Sequence, residues 1–147
     1  MINIKLICVG KMKEKFYIDA YNEYAKRLSA YCRLELIEIQ ESTLDKEAVL
    51  VMKNLTKQAY VIAMAIEGKK LSSEQLASKL ENIAVNGTSE IIFIIGGSYG
   101  LSSDVKMRAD MLLSMSDMTF PHHLARVMLS EQIYRAFKIN EGSVYHK

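Results

Sequence analysis

"EIIFIIGGSYGLSS", residues Glu90 to Ser103, decides the fold of this 147-residue chain. Ile91 to Ile95 are apolar without a break and mostly β-branched. A strand with one wet face would alternate, so this run predicts a strand covered on both sides, near the centre of a sheet. Gly96, Gly97 and Gly100 interrupt it, and the chain then opens into a helix. Such a loop lets backbone approach a ligand closely and leaves free N–H groups at the helix start. The GGxxG spacing does not meet the dinucleotide fingerprint, and no Walker lysine follows. A plain tight turn from strand to helix explains the loop equally well.

Outward from this segment the same alternation repeats. "INIKLICVG" (Ile2–Gly10) reads as a first strand. "KEKFYIDAYNEYAKRL" (Lys13–Leu28) carries Phe16, Tyr17, Ala20, Tyr21, Tyr24 and Leu28 at helical spacing. "RLELIEI" (Arg33–Ile39) alternates as a half-buried strand does and suits a sheet edge. Residues 45–58 suit a helix, with Leu44, Ala48, Val51, Met52 and Leu55 on one side. "YVIAMAI" (Tyr60–Ile66) is apolar throughout and predicts a strand covered on both faces. In "LSSEQLASKLENIAVNG" (Leu71–Gly87), Ser72 and Gln75 stand at capping-box spacing, Leu71 and Leu76 suit a staple, and Gly87 marks the stop.

Beyond the glycine loop come a short helix from Ser102 to about Ala109 and a strand "MLLSMSDM" (Met111–Met118). A last helix begins near Pro121, which suits a first helical turn, and runs to about Lys138. Five strands alternating with five helical segments predict an α/β fold, a largely parallel five- or six-stranded sheet with helices on both faces. No linker, repeat or low-complexity stretch interrupts residues 1–147, so a single domain is expected.

Half of the residues are hydrophobic and 24% charged, a globular mixture that excludes disorder. No apolar run is long enough to span a bilayer, and the start lacks the marks of a signal peptide. Cys8 and Cys32 show no metal-ligand spacing and read as reduced thiols, which points to the cytoplasm. The net charge of +2 is small for a protein that grips naked nucleic acid. If RNA is bound, shape or a preassembled partner must supply much of the recognition.

Chemistry concentrates at the carboxyl edge of the expected sheet and in the last thirty or so residues. "GKMKEK" places Lys11, Lys13 and Lys15 after the first strand, on the rim shared with the glycine loop. "TFPHH" (Thr119–His123) holds the only proline and two of the three histidines. In the last helix the pattern turns Leu124, Val127 and Met128 inward. Arg126 and Arg135 point about 180° apart on an ideal helix, one toward this subunit's surface and one toward a neighbour or substrate, unless both are ordinary surface arginines. The end "VYHK" gains by docking, which would fix Tyr145, His146 and Lys147 in place. No HExxH, CxxC or paired-carboxylate pattern occurs, and "GGSYG" is not a nucleophile elbow, so no metal site is expected.

"IIGGSYGL", "SDMTFPHHLARVMLSEQIYRAFKI" and "GSVYHK", with "VGKMKEKF" and "IEGKKLSSEQLA", together resemble one family over nearly the whole chain. It is the SPOUT-class ribosomal RNA large subunit methyltransferase H family, which methylates N3 of a pseudouridine in helix 69 of 23S rRNA. The segment between the second and third strands is shorter than is usual there. The resemblance implies a trefoil knot in the C-terminal half, a homodimer, and S-adenosylmethionine as cofactor.

It also implies roles for particular residues. Cofactor would be held at Met64, Gly96, Met115, Ser116, Asp117, Met118, Thr119 and Phe120, with Pro121 fixing the exit into the dimer-forming helix. His146 is the first candidate for the base that takes the N3 proton, with Arg135 and Tyr145 beside it, and His122 is the second. Lys11, Lys13, His122, Arg126 and Lys147 are expected to contact the RNA. A non-catalytic nucleotide or small-ligand sensor on the same scaffold, and a methyltransferase acting on small molecules, stay open as alternatives.

Overall fold

The computed structural model describes residues 1–146; Lys147, an expected RNA contact, lies outside the described residues. The elements run β1 (Ile2–Val9), α1 (Lys15–Leu28), β2 (Cys32–Ile39), α2 (Leu44–Lys53), β3 (Tyr60–Lys70), α3 (Ser73–Val85), β4 (Glu90–Ile95), α4 (Ser103–Arg108), β5 (Met111–Ser114) and α5 (His122–Asn140). The five strands form one sheet in the order β2-β1-β4-β3-β5. Every neighbouring pair is parallel. The uninterrupted apolar run is the central strand, as its composition predicts, and the alternating β2 is an edge.

Side-chain alternation divides the core into two layers. From β4, Ile91, Phe93 and Ile95 pack beneath α1, α3 and α5, against Tyr21, Leu28, Leu76, Leu80, Leu129 and Ile133. Ile92 and Ile94 face the other way, against Ala48 and Val51 of α2 and Val105 of α4. Fully burying residues of this kind contributes about 1.5–3 kcal/mol each. Because all strands point the same way, the loops after β1, β4 and β5 gather along one edge of the sheet.

The capping box at Ser72 forms as its spacing predicts. The Ser72 N–H donates to Gln75 Oε1 (2.8 Å), and the Gln75 N–H donates to Ser72 Oγ (3.1 Å). Elsewhere the boundaries move for identifiable reasons. Helix α2 stops at Lys53 rather than near residue 58, because Asn54 Nδ2 caps the Leu50 carbonyl (2.8 Å) and turns the chain away. Strand β3 runs on to Lys70 through an irregularity between Met64 and Lys69. There the backbone of β5 passes so close that a Cβ on Gly68 would lie 2.6 Å from the Leu112 carbonyl carbon. Strand β5 ends at Ser114, short of the expected Met118. Ser114 Oγ donates to the Ser116 carbonyl (3.0 Å) and Ser116 Oγ accepts from the Met118 N–H (3.0 Å), so hydroxyls fold this segment into a turn.

The largest correction concerns α5. Pro121 is the residue before the helix rather than part of its first turn. The buried stripe is Arg126, Leu129, Ser130, Ile133 and Ala136. Leu124, Val127 and Met128, expected to face inward, are only half-buried. Both stripes have helical spacing, and apolarity favoured the wrong one. Burial of the other is made tolerable by pairing: Ser130 Oγ donates to the Arg126 carbonyl (2.8 Å), and Arg126 meets Glu38 (2.6 Å). Among the described residues, no helix is long and apolar enough to cross a membrane.

Candidate functional site

Two clefts open where β3 and β5 end. The first, of about 340 Å³, is lined by the distal part of β3, the loop after β4 and the loop after β5. Met64, Gly96, Met115, Ser116, Met118, Thr119, Phe120 and His122 all border it, joined by Ile95, Leu101 and Ala125. Its size falls within the range of small-molecule sites. The glycine loop is a tight turn, Gly100 N–H donating to the Gly97 carbonyl (3.0 Å). Its Gly96, Gly97, Ser98 and Gly100 border the cleft, where residues with no side chain or a small one leave peptide groups accessible. Apolar walls from Met64, Ile95, Leu101 and Phe120, with peptide and hydroxyl groups between them, fit a ligand with a flat apolar ring and a polar body. Asp117 is the exception among the expected cofactor positions. Its carboxylate pairs with Lys70 on the surface and does not line the cleft.

The second cleft, of about 500 Å³, shares Met64, Leu113, Ser114 and Met115 with the first. Its other side is built from Tyr24, the start of α3 at Ser72 and Ser73, and Glu131 and Gln132 of α5. Glu131 is the hub of the docked tail. Arg135 Nη2 donates to Glu131 Oε2 (2.8 Å), and the Tyr145 hydroxyl donates to the same oxygen (2.8 Å). The Tyr145 ring lies edge-on to Tyr134 at 5.0 Å, and the Arg135 guanidinium sits 4.9 Å from its centroid. Burial, then the Glu131 carboxylate, pushes the Tyr145 hydroxyl up to about 12, so it stays a phenol near neutrality.

His146 is held at both nitrogens, Nδ1 2.9 Å from Arg135 Nη1 and Nε2 2.6 Å from Glu74 Oε1. A guanidinium cannot accept, so Nδ1 must be the acceptor and Nε2 carries the proton toward Glu74. The structure therefore brings His146, Arg135 and Tyr145 into one cluster. It also adds Glu131 and Glu74, which no sequence motif marked. The spacing of Glu131 and Arg135, i and i+4 on a helix, was the available signal.

The expected RNA contacts separate. Lys11 and Lys13 are exposed on the loop after β1. His122 borders the first cleft, its Nε2 3.5 Å from Glu41 Oε1. Arg126, expected as a phosphate contact, is instead 1% exposed and paired with Glu38. Partial burial raises the Glu38 carboxyl, but the Met12 N–H and Arg126 outweigh it and hold the group below its usual range. Glu38 shares the side of β2 that carries Cys32, Leu34 and Leu36, so a carboxylate in an apolar register was its signal. Among the described residues, no group of three or more His, Cys, Asp or Glu side chains is placed to hold a metal ion.

Residues 2–146 match the profile of the family described as "Predicted SPOUT methyltransferase". The chain is 51% identical to a ribosomal RNA large subunit methyltransferase H from Bifidobacterium adolescentis, over 99% of this chain and 100% of that protein. In fold it is similar to a probable methylase family protein from Haemophilus influenzae Rd KW20, with a TM-score of 0.59, 12% identity, and 99% of this chain and 71% of the other covered. A SpoU methyltransferase, AviRb from Streptomyces viridochromogenes, solved in complex with the cofactor AdoMet, gives a TM-score of 0.51 at 11% identity, covering 97% of this chain and 59% of that one. By its whole-length match and this identity, the chain belongs to the SPOUT methyltransferase family.

Proposed function

We propose that this protein transfers a methyl group from S-adenosylmethionine to N3 of a pseudouridine in helix 69 of 23S rRNA, on the assembled ribosome. The observation that carries the reading is the first cleft, where the distal part of β3 and the loops after β4 and β5 converge and bring together every expected cofactor position except Asp117. The name of the Bifidobacterium relative supports a large-subunit RNA substrate, and AdoMet in a protein of similar fold supports the cofactor.

Bound S-adenosylmethionine supplies a methyl group already activated by its sulfonium. What remains for the protein is alignment, exclusion of water and removal of the N3 proton. Met64, Ile95, Leu101 and Phe120 would enclose an adenine ring, with the peptide groups of the two loops available for its edge. His146 is the first candidate for the base. Its Nδ1 would exchange Arg135 for the acceptor's proton, and Arg135 would then face the developing anion. Tyr145, kept as a phenol, positions Glu131 and through it Arg135. His122, on the rim of the cofactor cleft, is the alternative base.

The tail of a protomer docks on Glu131 and Arg135 of α5 and Glu74 of α3, and none of its residues lines the first cleft. This supports a homodimer in which the partner's tail and basic loop frame the RNA at this cofactor site. The half-buried Val127 and Met128 of α5 suit such a contact. A trefoil knot in the C-terminal half is part of this reading, supported by the close passage of β5 against Gly68. The weak net charge agrees with a cytoplasmic enzyme that meets RNA already shaped by the ribosome.

The test is methyl transfer from labelled S-adenosylmethionine, with ribosomes lacking the modification offered beside free RNA. Label at N3 on assembled ribosomes is the expected result. Label on neither substrate, with cofactor demonstrably bound, would move the assignment to a sensor.

A further inference from the structure

Neither cleft accounts for the fixed shape of the basic loop after β1. Arg126 Nη1 donates to Glu38 Oε2 (2.6 Å), and Nη2 donates to the Gly10 carbonyl (2.8 Å). The same Glu38 oxygen accepts the Met12 N–H (3.0 Å). Lys11 is thus flanked by two residues tied to one ion pair, while its own side chain stays exposed. Gly10 is anchored again by its N–H to the Ile39 carbonyl (2.7 Å), at a φ of +101° that favours glycine. A Cβ there would lie 3.2 Å from Nε2 of both His122 and His123. Since His122 borders the cofactor cleft, the loop that presents Lys11 and the exit of the cofactor loop rest on each other around one guanidinium.

We propose that Arg126 and Glu38 are a positioning pair that fixes Lys11 for contact with the phosphate backbone of the RNA acceptor, and that neither residue touches RNA. The proposal rests on the reading of the protein as an RNA methyltransferase. A side chain that is 1% exposed offers no surface to a phosphate. Its planar fork reaches two acceptors at once, a geometry that a lysine ammonium does not reproduce. Electrostatics alone and positioning then predict opposite signs for one substitution. Removing the Glu38 carboxylate deletes a negative charge near an anionic substrate, which by charge alone would tighten binding. By positioning it loosens Lys11 and weakens binding.

The experiment measures kcat and KM for ribosomes lacking the modification, cofactor affinity, and amide hydrogen exchange over residues 10–13. The variants are Glu38→Gln, Lys11→Ala and the double substitution. Lys11→Ala and Glu38→Gln are each expected to raise KM about tenfold, as loss of a phosphate contact does, with kcat and cofactor affinity near wild type. The Lys11 and Met12 amides should exchange faster in Glu38→Gln, and the double variant should be no worse than either single one. A KM that falls or holds in Glu38→Gln, unchanged exchange, or effects that multiply in the double variant would overturn the proposal. If Glu38→Gln does not fold, Glu38→Asp keeps the charge, retracts the carboxylate by one methylene and is held to the same outcomes. Should Lys11→Ala leave KM unchanged while wild type is active, the pair's role falls and the enzymatic reading stands. A wild type that labels neither ribosomes nor free RNA overturns the reading, and the proposal with it.

Discussion

Arg126 and Arg135 stand on one helix, nine residues and about 180° of azimuth apart, and each meets a carboxylate. Arg126 is enclosed between β1, β2 and α5, with its Nε buried and unpartnered. Arg135 keeps 23% of its side chain exposed and shares Glu131 with a tyrosine and a docked tail. The Arg126 fork has no solvent to fall back on, although Glu38 is partly exposed, so the geometry of this guanidinium is part of the fold. The guanidinium of the second keeps access to solvent and can exchange partners at modest cost, as its proposed place beside the acceptor requires. Residue type does not separate the two roles; the burial of each fork does.

The sharpest way to break this comparison is to truncate both arginines and measure stability by chemical denaturation. Arg126→Ala empties a fully buried site and strips Glu38 and the Gly10 carbonyl of their shared donor, and should cost roughly 3 kcal/mol, lowering Tm by about 6–12 °C. Arg135→Ala should cost less than about 1 kcal/mol, as partly exposed pairs do. Equal losses would mean that burial does not set the roles.

Activity should reverse the order. His146→Ala is expected to lower turnover on ribosomes roughly 100-fold while leaving Tm unchanged, because the tail adds little to the core. Undiminished turnover at saturating substrate would remove His146 as the base and leave His122. A smaller effect tests how the tail is held. Glu74, which fixes His146, lies in the first turn of α3, whose start depends on the Ser72 capping box. Ser72→Ala should cost about 1 kcal/mol and lower turnover less than His146→Ala does, read from denaturation and initial rates on one preparation.

These contrasts also mark what was legible in the sequence. The buried run at Ile91–Ile95, the box at Ser72 and the alternation of β2 each state a local rule that the fold obeys, and from them the parallel sheet follows. The cleft residues were reached by resemblance, since GGxxG alone is only a turn. The inward face of α5 was misread because a stripe containing Arg126 and Ser130 looks like surface until Glu38, from a distant strand, neutralises it. Glu131 and Glu74 were missed for the same reason. Their partners come from the chain end, and helical spacing says nothing of where a tail returns.

The smallest expected effect is a dependence on pH at His123, near the Arg126 end of the helix. Burial holds the His123 imidazole below its ordinary value, with His122 and Arg126 acting the same way and Glu14 opposing them. The unfolded chain takes up this proton near pH 6.5, while the folded protein resists until the pH is lower. In that window the unfolded state binds more protons, so His123's contribution to stability falls as pH falls below about 6.5 and levels off below the folded value. The carboxyls of Glu14 and Glu38 are both held low, so their losses begin only near pH 4.3 and below, outside the window. Denaturation of wild type and His123→Gln at pH 7.5 and 5.5 should give a smaller decline for the variant. If His123→Gln declines as steeply as wild type, the proton is taken up elsewhere, and the enclosed end of α5 holds no titrating group that matters to the fold.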